Sequence, residues 1–168
     1  MKRDKFVRKI IVGENDKIKI SLTNKVNVRQ VCKFLNKCDK MFTVPLSERG
    51  VDLKAYAEKI VLKGKVIAIR KWNKTIGFIS YYANDLINKK GHITLLCVLP
   101  DYRGLGLARI LLDACISDCK SVGMEKITLE VYKNNTSAYS LYSKYGFTVI
   151  SGEEHLLLGL ELNKQGAK

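Results

Sequence analysis

The sequence has no apolar run approaching the roughly eighteen residues of a membrane-spanning helix, and its first ten residues carry five Lys or Arg in place of a secretory signal's apolar core. These absences predict a soluble, cytoplasmic protein without a membrane partner. Proline-rich linkers, low-complexity runs and internal repeats are also missing, so the 168 residues read as one domain, 1–168, able to bury a core unaided. Histidine is scarce: His92 and His155 are the only two, and neither lies near a pair among Cys32, Cys38, Cys97, Cys115 and Cys119. An odd number of thiols without adjacent histidines argues against a disulfide framework and predicts no metal site. Cys115 and Cys119, four apart on a predicted helix, read as buried apolar thiols.

Acidic residues are few in one part of the chain. The net charge of +14 lies wholly in residues 1–100, which hold 22 Lys and Arg against 8 Asp and Glu; from 101 onward the signs balance at eight each. Such a field suits a phosphorylated substrate, an acidic protein or nucleic acid. The cations are mostly Lys and spread along the chain, however, whereas nucleic-acid surfaces concentrate Arg and interleave aromatics. The sequence therefore points to a solvated lysine surface and away from a nucleic-acid partner.

What is present is a regular alternation of strand and helix patterns. Ile18, Ile20 and Leu22 alternate with polar residues as a first strand, and Val28 to Cys38 carries apolar residues at helical spacing. Asp52 to Leu62 is a second helix. Val66 to Arg70, a Trp-Asn-Lys turn and Thr75 to Tyr82 read as a hairpin. Ile93 to Leu99 is apolar enough to be a strand buried on both faces. Leu107 to Val122 is a long helix with Arg109, Asp113, Ser117 and Lys120 on its polar stripe. Lys126 to Tyr132, the helix Thr136 to Tyr145, and the strands Phe147 to Ile150 and Leu156 to Leu162 complete the order β-α-α-β-β-β-α-β-α-β-β. Met1 to Lys9 and Asn163 to Lys168 read as loose polar tails.

The informative segment is Val98-Leu99-Pro100-Asp101-Tyr102-Arg103-Gly104-Leu105-Gly106-Leu107-Ala108, where a buried strand gives way to a glycine-containing turn that opens a helix. The first backbone N–H groups of a helix lack internal acceptors and sit at the positive end of its dipole, so they suit a phosphate or pyrophosphate. Dinucleotide and P-loop readings do not apply: a third glycine with its downstream acid is not evident, and no Gly-Lys-Ser/Thr follows.

This segment resembles the Arg-x-x-Gly-x-Gly/Ala motif of the GNAT N-acetyltransferase superfamily, with Arg103, Gly106 and Ala108 in its fixed places after a Val-x-Pro. A second block resembles the family's later signature: Leu129-Glu130-Val131, then Asn135, Ala138, Leu141-Tyr142 and Gly146-Phe147. Together they cover about residues 92–150; the N-terminal third, which the resemblance makes the acceptor region, has no specific motif. The resemblance implies a single-domain α/β (α+β) fold, a mixed central sheet flanked by helices, that binds acetyl-CoA and passes its acetyl group directly to a primary amine without a metal. Cys97 and Val98 would offer backbone to the pantetheine arm from a splayed strand. Arg103, Gly104, Leu105, Gly106, Leu107 and Ala108 would cradle the pyrophosphate. Asn135 would bond the pantetheine region while capping its helix, and Tyr142 would face the thioester sulfur as acid.

Glu130 precedes Tyr142 by twelve residues, as the corresponding glutamate does in the bacterial ribosomal-protein alanine acetyltransferases that this block resembles, and is the expected base. Asp85 and His92 are fallback bases. The expected acceptor is a small amine, such as an amino sugar or a nucleotide-linked amino sugar that the positive N-terminal hundred residues would suit. A protein N-terminal or lysine amine is the alternative, and a noncatalytic acyl-CoA or nucleic-acid binding module is the alternative of another class. The protein is expected to be a monomer or homodimer.

Overall fold

The computed structural model describes residues 8–12 and 18–162. Its strands are β1 (Arg8–Val12), β2 (Ile18–Thr23), β3 (Lys65–Lys71), β4 (Lys74–Asp85), β5 (Lys90–Val98), β6 (Lys126–Tyr132), β7 (Thr148–Ser151) and β8 (His155–Glu161). Its α-helices are α1 (Val28–Cys38), α2 (Leu53–Lys63), α3 (Leu107–Ser121) and α4 (Thr136–Lys144). The strands form one mixed sheet in the order β1-β2-β3-β4-β5-β6-β8-β7, parallel between β5 and β6 and antiparallel at the other junctions.

Each face of the sheet has its own core. Val66, Ala68, Phe78 and Cys97 pack under α1 and α2 against Phe34, Leu35, Ala57 and Ile60. Ile67, Ile69, Ile79 and Ile127 pack on the opposite side against Leu111, Leu112, Cys115 and Cys119 of α3. The Val66–Ile69 stretch is apolar at every position because alternate side chains enter different cores. Cys115 and Cys119 are fully buried, as expected of apolar thiols, and no group of three or more metal-ligating side chains occurs among the described residues. No described helix is long and apolar enough to cross a membrane.

The helix expectations agree to within a residue at each end, and their caps explain why. Asn27 and Gln30 form a reciprocal capping box at α1, Asp52 Oδ1 accepts from the Ala55 N–H at 2.7 Å to start α2, and Asn135 Oδ1 accepts from the Ala138 N–H at 3.2 Å to start α4.

The sheet corrects the sequence reading in four places. Arg8 and Lys9, placed in a loose tail, belong to β1, a strand that the expected order omits; pairing with β2 gives this Arg-Lys-Ile-Ile-Val segment an extended form that its short apolar run does not announce. Residues 1–7 and the tail from Asn163 lie outside the described residues. The turn between β3 and β4 has two residues, Trp72 and Asn73, rather than three, since Lys71 pairs with Lys74. In β5, Thr94, Leu95 and Leu96 are half-buried instead of fully enclosed. Finally, the strand expected over Phe147 to Ile150 runs instead from Thr148 to Ser151, after the buried Phe147, and lies at the sheet's edge with Val149 and Ile150 about half exposed.

Candidate active site

The half-burial of β5 has a structural cause. Ser80 pairs with Leu95 and Tyr81 with Ile93, so Thr94 is an extra residue in β5, a β-bulge. Its hydroxyl is held by the Tyr56 hydroxyl and by Ser80 Oγ, each at 2.8 Å. The parallel pairing of β5 with β6 ends just before it, at Ile93 and Leu129. From Leu95 to Val98 the β5 backbone is paired with β4 on one side, and from Thr94 to Val98 it has no β6 partner on the other. This wedge between diverging strands is the splay that the sequence reading expected, and an extended arm carrying amides has backbone to bond along it.

The wedge opens into a cavity of about 610 Å³. Cys97, Val98, Arg103, Gly104, Gly106, Leu107, Ala108, Asn135 and Tyr142 all line it, which brings together nine of the expected cofactor residues. Leu105 does not; its side chain packs against the core. Gly104 and Gly106 have φ of 79° and 74°, a left-handed conformation that side-chain-bearing residues seldom adopt, and a Cβ on either would meet only open space. Gly106 is the N-cap of α3 and no side chain caps that helix, so the amides of its first turn face the cavity's end. These features fit a pyrophosphate-bearing ligand. The Arg103 side chain turns back to the preceding strand, where Nε donates to the Val98 carbonyl at 3.1 Å and ties the turn to β5.

A second cavity, of about 310 Å³, lies on the other side of Tyr142. Glu130 and His92 line it, together with His155, Tyr132, Tyr56 and Arg49. Its loop wall, Phe42 to Val51, is anchored by the buried Asp39, whose carboxylate accepts from the Leu46 N–H at 2.8 Å and from the Ser47 hydroxyl. Asp85, the other fallback base, lines neither cavity: it ends β4, paired with Lys90, and accepts from the Asn88 backbone and side chain, which hold its carboxyl below the usual range.

Phe42, Leu96, Asn135, Ala138 and Tyr142 line both cavities, which therefore meet at these five side chains. Tyr142 is 7% exposed and packs edge-on against Phe147. Burial pushes its phenol well above the ordinary value, with the nearby Cys115 thiol adding to the effect, so the hydroxyl stays protonated. His92 is shifted the opposite way: burial lowers its pKa against the pull of Glu130, and Lys90 lowers it further, so the imidazole is neutral at pH 7 and able to accept a proton. Glu130 Oε2 stands 3.7 Å from His155 Nε2, whose ring stacks on Tyr132 at 4.5 Å. At Cys97, a hydrogen bond from Cys38 lowers the thiol pKa, opposed by burial and reinforced by Arg103.

The model of the acetyltransferase (GNAT) family matches residues 33–147, more than half of the sequence. The chain belongs to the GNAT family. Over 80 residues it is 36% identical to an N-alpha-acetyltransferase of Sulfurisphaera tokodaii, a match covering 47% of this chain and 48% of that protein. Over 58 residues it is 38% identical to a mycothiol acetyltransferase of Geodermatophilus obscurus, covering 34% and 19%. The chain thus spans about half the length of the first of these relatives and about a fifth of the second. The fold is that of Salmonella typhimurium YncA, solved with its cofactor acetyl-CoA: TM-score 0.69 at 18% identity, over 89% of this chain and 97% of that one.

Within this GNAT fold the sequence motifs locate the larger cavity well and the smaller one poorly. Arg49, Phe42, Tyr56, Tyr132 and His155 line the second cavity without any sequence signal for it, because they come from a loop, a helix and two strands that only folding brings together. The anchoring role of Asp39 had one available cue, a lone acid directly after an amphipathic, basic helix, which reads equally well as a solvated helix end.

Proposed function

We propose that this chain is an acetyl-CoA-dependent N-acetyltransferase that passes the acetyl group directly to a primary amine. The observation that carries the reading is the junction of the two cavities at Tyr142, which gives donor and acceptor separate entrances and one meeting point. Acetyl-CoA, when bound, supplies a thioester open to attack by a neutral amine, with a thiolate as leaving group.

The residues divide the remaining tasks. The amides at the start of α3, with Gly104 and Gly106 beside them, hold the pyrophosphate, and the free side of Thr94 to Val98 aligns the pantetheine arm. Tyr142, kept neutral by burial, donates its proton to the departing sulfur. Glu130 takes a proton from the amine, directly or through water, with neutral His92 in the same cavity as the alternative base. The base matters in proportion to the acceptor's basicity. An amine of pKa ~10.4 is neutral in only about one molecule per few thousand at pH 7, a barrier of roughly 4.6 kcal/mol, whereas an α-amine near ~7.8 costs about 1 kcal/mol.

For the acceptor, a small amine is the first reading, because loop 42–51, β5, β6 and His155 wall the smaller cavity on several sides. Among these lining residues Arg49 is the only Lys or Arg, so a phosphate or carboxylate on that amine would have one guanidinium to meet rather than the wider lysine field. The α-amine of a polypeptide is the second reading, favoured by the match to an N-alpha-acetyltransferase. A thiol-release assay with acetyl-CoA over a panel of small amines, amino sugars and short peptides decides between them. Release with no amine in the panel, despite tight acetyl-CoA binding, would favour a noncatalytic binding module.

A further inference from the structure

The positive charge of the N-terminal hundred residues takes no part in the reading above, apart from Arg49. Along the chain these cations look dispersed; folding gathers some of them. Arg29, Lys33 and Lys37 follow one another at four-residue spacing on α1, and with Lys74 from the start of β4 they line a groove of about 320 Å³ on the outer side of that helix. No acid lines it, and Asp and Glu are absent from residues 18–38 and 59–84, the segments that build it. Among the described residues none of the four cations is in an ion pair.

The polar groups between them are donors as well. Gln30, on the groove floor, spends its Oε1 on two bonds, from the Asn27 N–H at 3.1 Å and the Arg70 guanidinium at 2.8 Å, which leaves its amide nitrogen to donate. Asn73 and Thr75 complete the wall. Farther along the hairpin, Lys71 and Lys74 both place their ammonium groups over the Tyr102 ring, at 5.5 and 5.6 Å.

Next in the chain to Asn73 of the groove wall is Trp72, the only tryptophan of the sequence. It is 85% exposed and occupies the first position of the two-residue β3–β4 turn with φ of 57°, where Gly or Asn is the usual choice. Neither packing nor backbone preference accounts for a large indole there. A solvent-exposed indole one residue along the chain from a groove of cations and donors supplies the parts needed for a single strand of nucleic acid: charge for the phosphates and a platform on which a base stacks. An acidic peptide would use the cations and leave the indole without a role.

We propose that the groove between α1 and the β3–β4 turn binds single-stranded nucleic acid, with Arg29, Lys33, Lys37 and Lys74 on the phosphates and Trp72 stacked on a base. The groove shares no lining residue with either cavity at Tyr142, its one link to the larger being the Lys74 ammonium over the ring of Tyr102, and the proposal stands whether or not the amine-acetylation reading does.

Because Trp72 is the only tryptophan, the intact protein reports on its own site. Titration with a fifteen-residue oligouridylate should quench its fluorescence to saturation, and the affinity should fall with salt along a logarithmic slope of about −3, as four phosphate contacts on a single strand give. Binding of a labelled oligonucleotide, followed by anisotropy, should weaken at least tenfold in the Arg29→Glu/Lys33→Glu/Lys37→Glu variant and about tenfold in Trp72→Ala. Both variants should keep the acetyl-CoA thermal shift of the wild type, which shows that they fold. Saturating coenzyme A should not displace the oligonucleotide; displacement would place it in the larger cavity and overturn the proposal. Absence of quenching, or equal affinity for a polyglutamate peptide of matched charge, would also overturn it, in favour of a nonspecific lysine surface.

Discussion

His92 Nδ1 stands 2.9 Å from Thr128 Oγ1, a bond across the short stretch in which β5 and β6 are still paired. The bond seats the imidazole where the strands begin to part, half-buried and facing Glu130 in the smaller cavity. Burial lowers the folded-state pKa of His92 below the ordinary 6.5. The unfolded chain therefore takes up the proton first as pH falls. The stability His92 confers is complete above about pH 6.5 and is lost as pH drops from there through the folded pKa. His92→Gln should flatten the decline of Tm between roughly pH 6.5 and 5, as followed by thermal melts; an unchanged decline assigns the acid sensitivity to other groups.

Glu130→Gln should depress kcat/KM at pH 7 and recover much of it as pH rises toward the pKa of the acceptor amine, because without its base the enzyme must wait for amine already neutral in solution. A pH–rate profile beside that of the wild type makes the measurement. A small defect indicates an α-amine or another weakly basic acceptor, and a large one a lysine-like amine. Superimposable profiles would transfer the role to His92, which shares the cavity, and not to Asp85, which does not.

Gly106→Val should abolish the thermal shift that acetyl-CoA confers. The backbone there has φ of 74°, which a β-branched residue tolerates poorly, and the added side chain would project into the space before the first-turn amides of α3. Calorimetric titration checks the affinity directly. Binding like that of the wild type would mean that the pyrophosphate lies elsewhere.

How much of this was legible in the sequence depended on how local the signal was. Helix ends were readable because Asn27, Asp52 and Asn135 cap their own helices within three residues. The cradle at Gly104 and Gly106 was readable because turn, helix start and motif are contiguous. Strand β1 was not, since its extended form depends on pairing with β2 and its side-chain pattern is too short to declare it. The smaller cavity was half readable: Glu130 sits in a contiguous block, whereas Arg49, Tyr56 and His155 reach it from segments separated by up to 106 residues. The basic groove was hidden for the same reason, as Lys74 joins Arg29, Lys33 and Lys37 only when the β3–β4 turn folds beside α1.

Asp39→Ala should raise KM for the acceptor while leaving acetyl-CoA affinity nearly unchanged, because the carboxylate organises the loop that walls only the smaller cavity over most of its length. Removing it strands the buried Leu46 N–H, at a cost of about 1–3 kcal/mol in stability, readable by urea denaturation. A rise in KM for acetyl-CoA alone would assign the loop to the other cavity.

The most direct test of the account is Tyr142→Phe, measured by thiol release with the best acceptor of the amine panel and by calorimetric binding of acetyl-CoA to the same preparation. The substitution removes one hydroxyl and keeps the ring that packs against Phe147. If Tyr142 protonates the leaving sulfur where the two cavities meet, kcat should fall by roughly 10² to 10⁴ with acetyl-CoA affinity preserved. Unchanged turnover, or a loss of binding equal to the loss of rate, would contradict it.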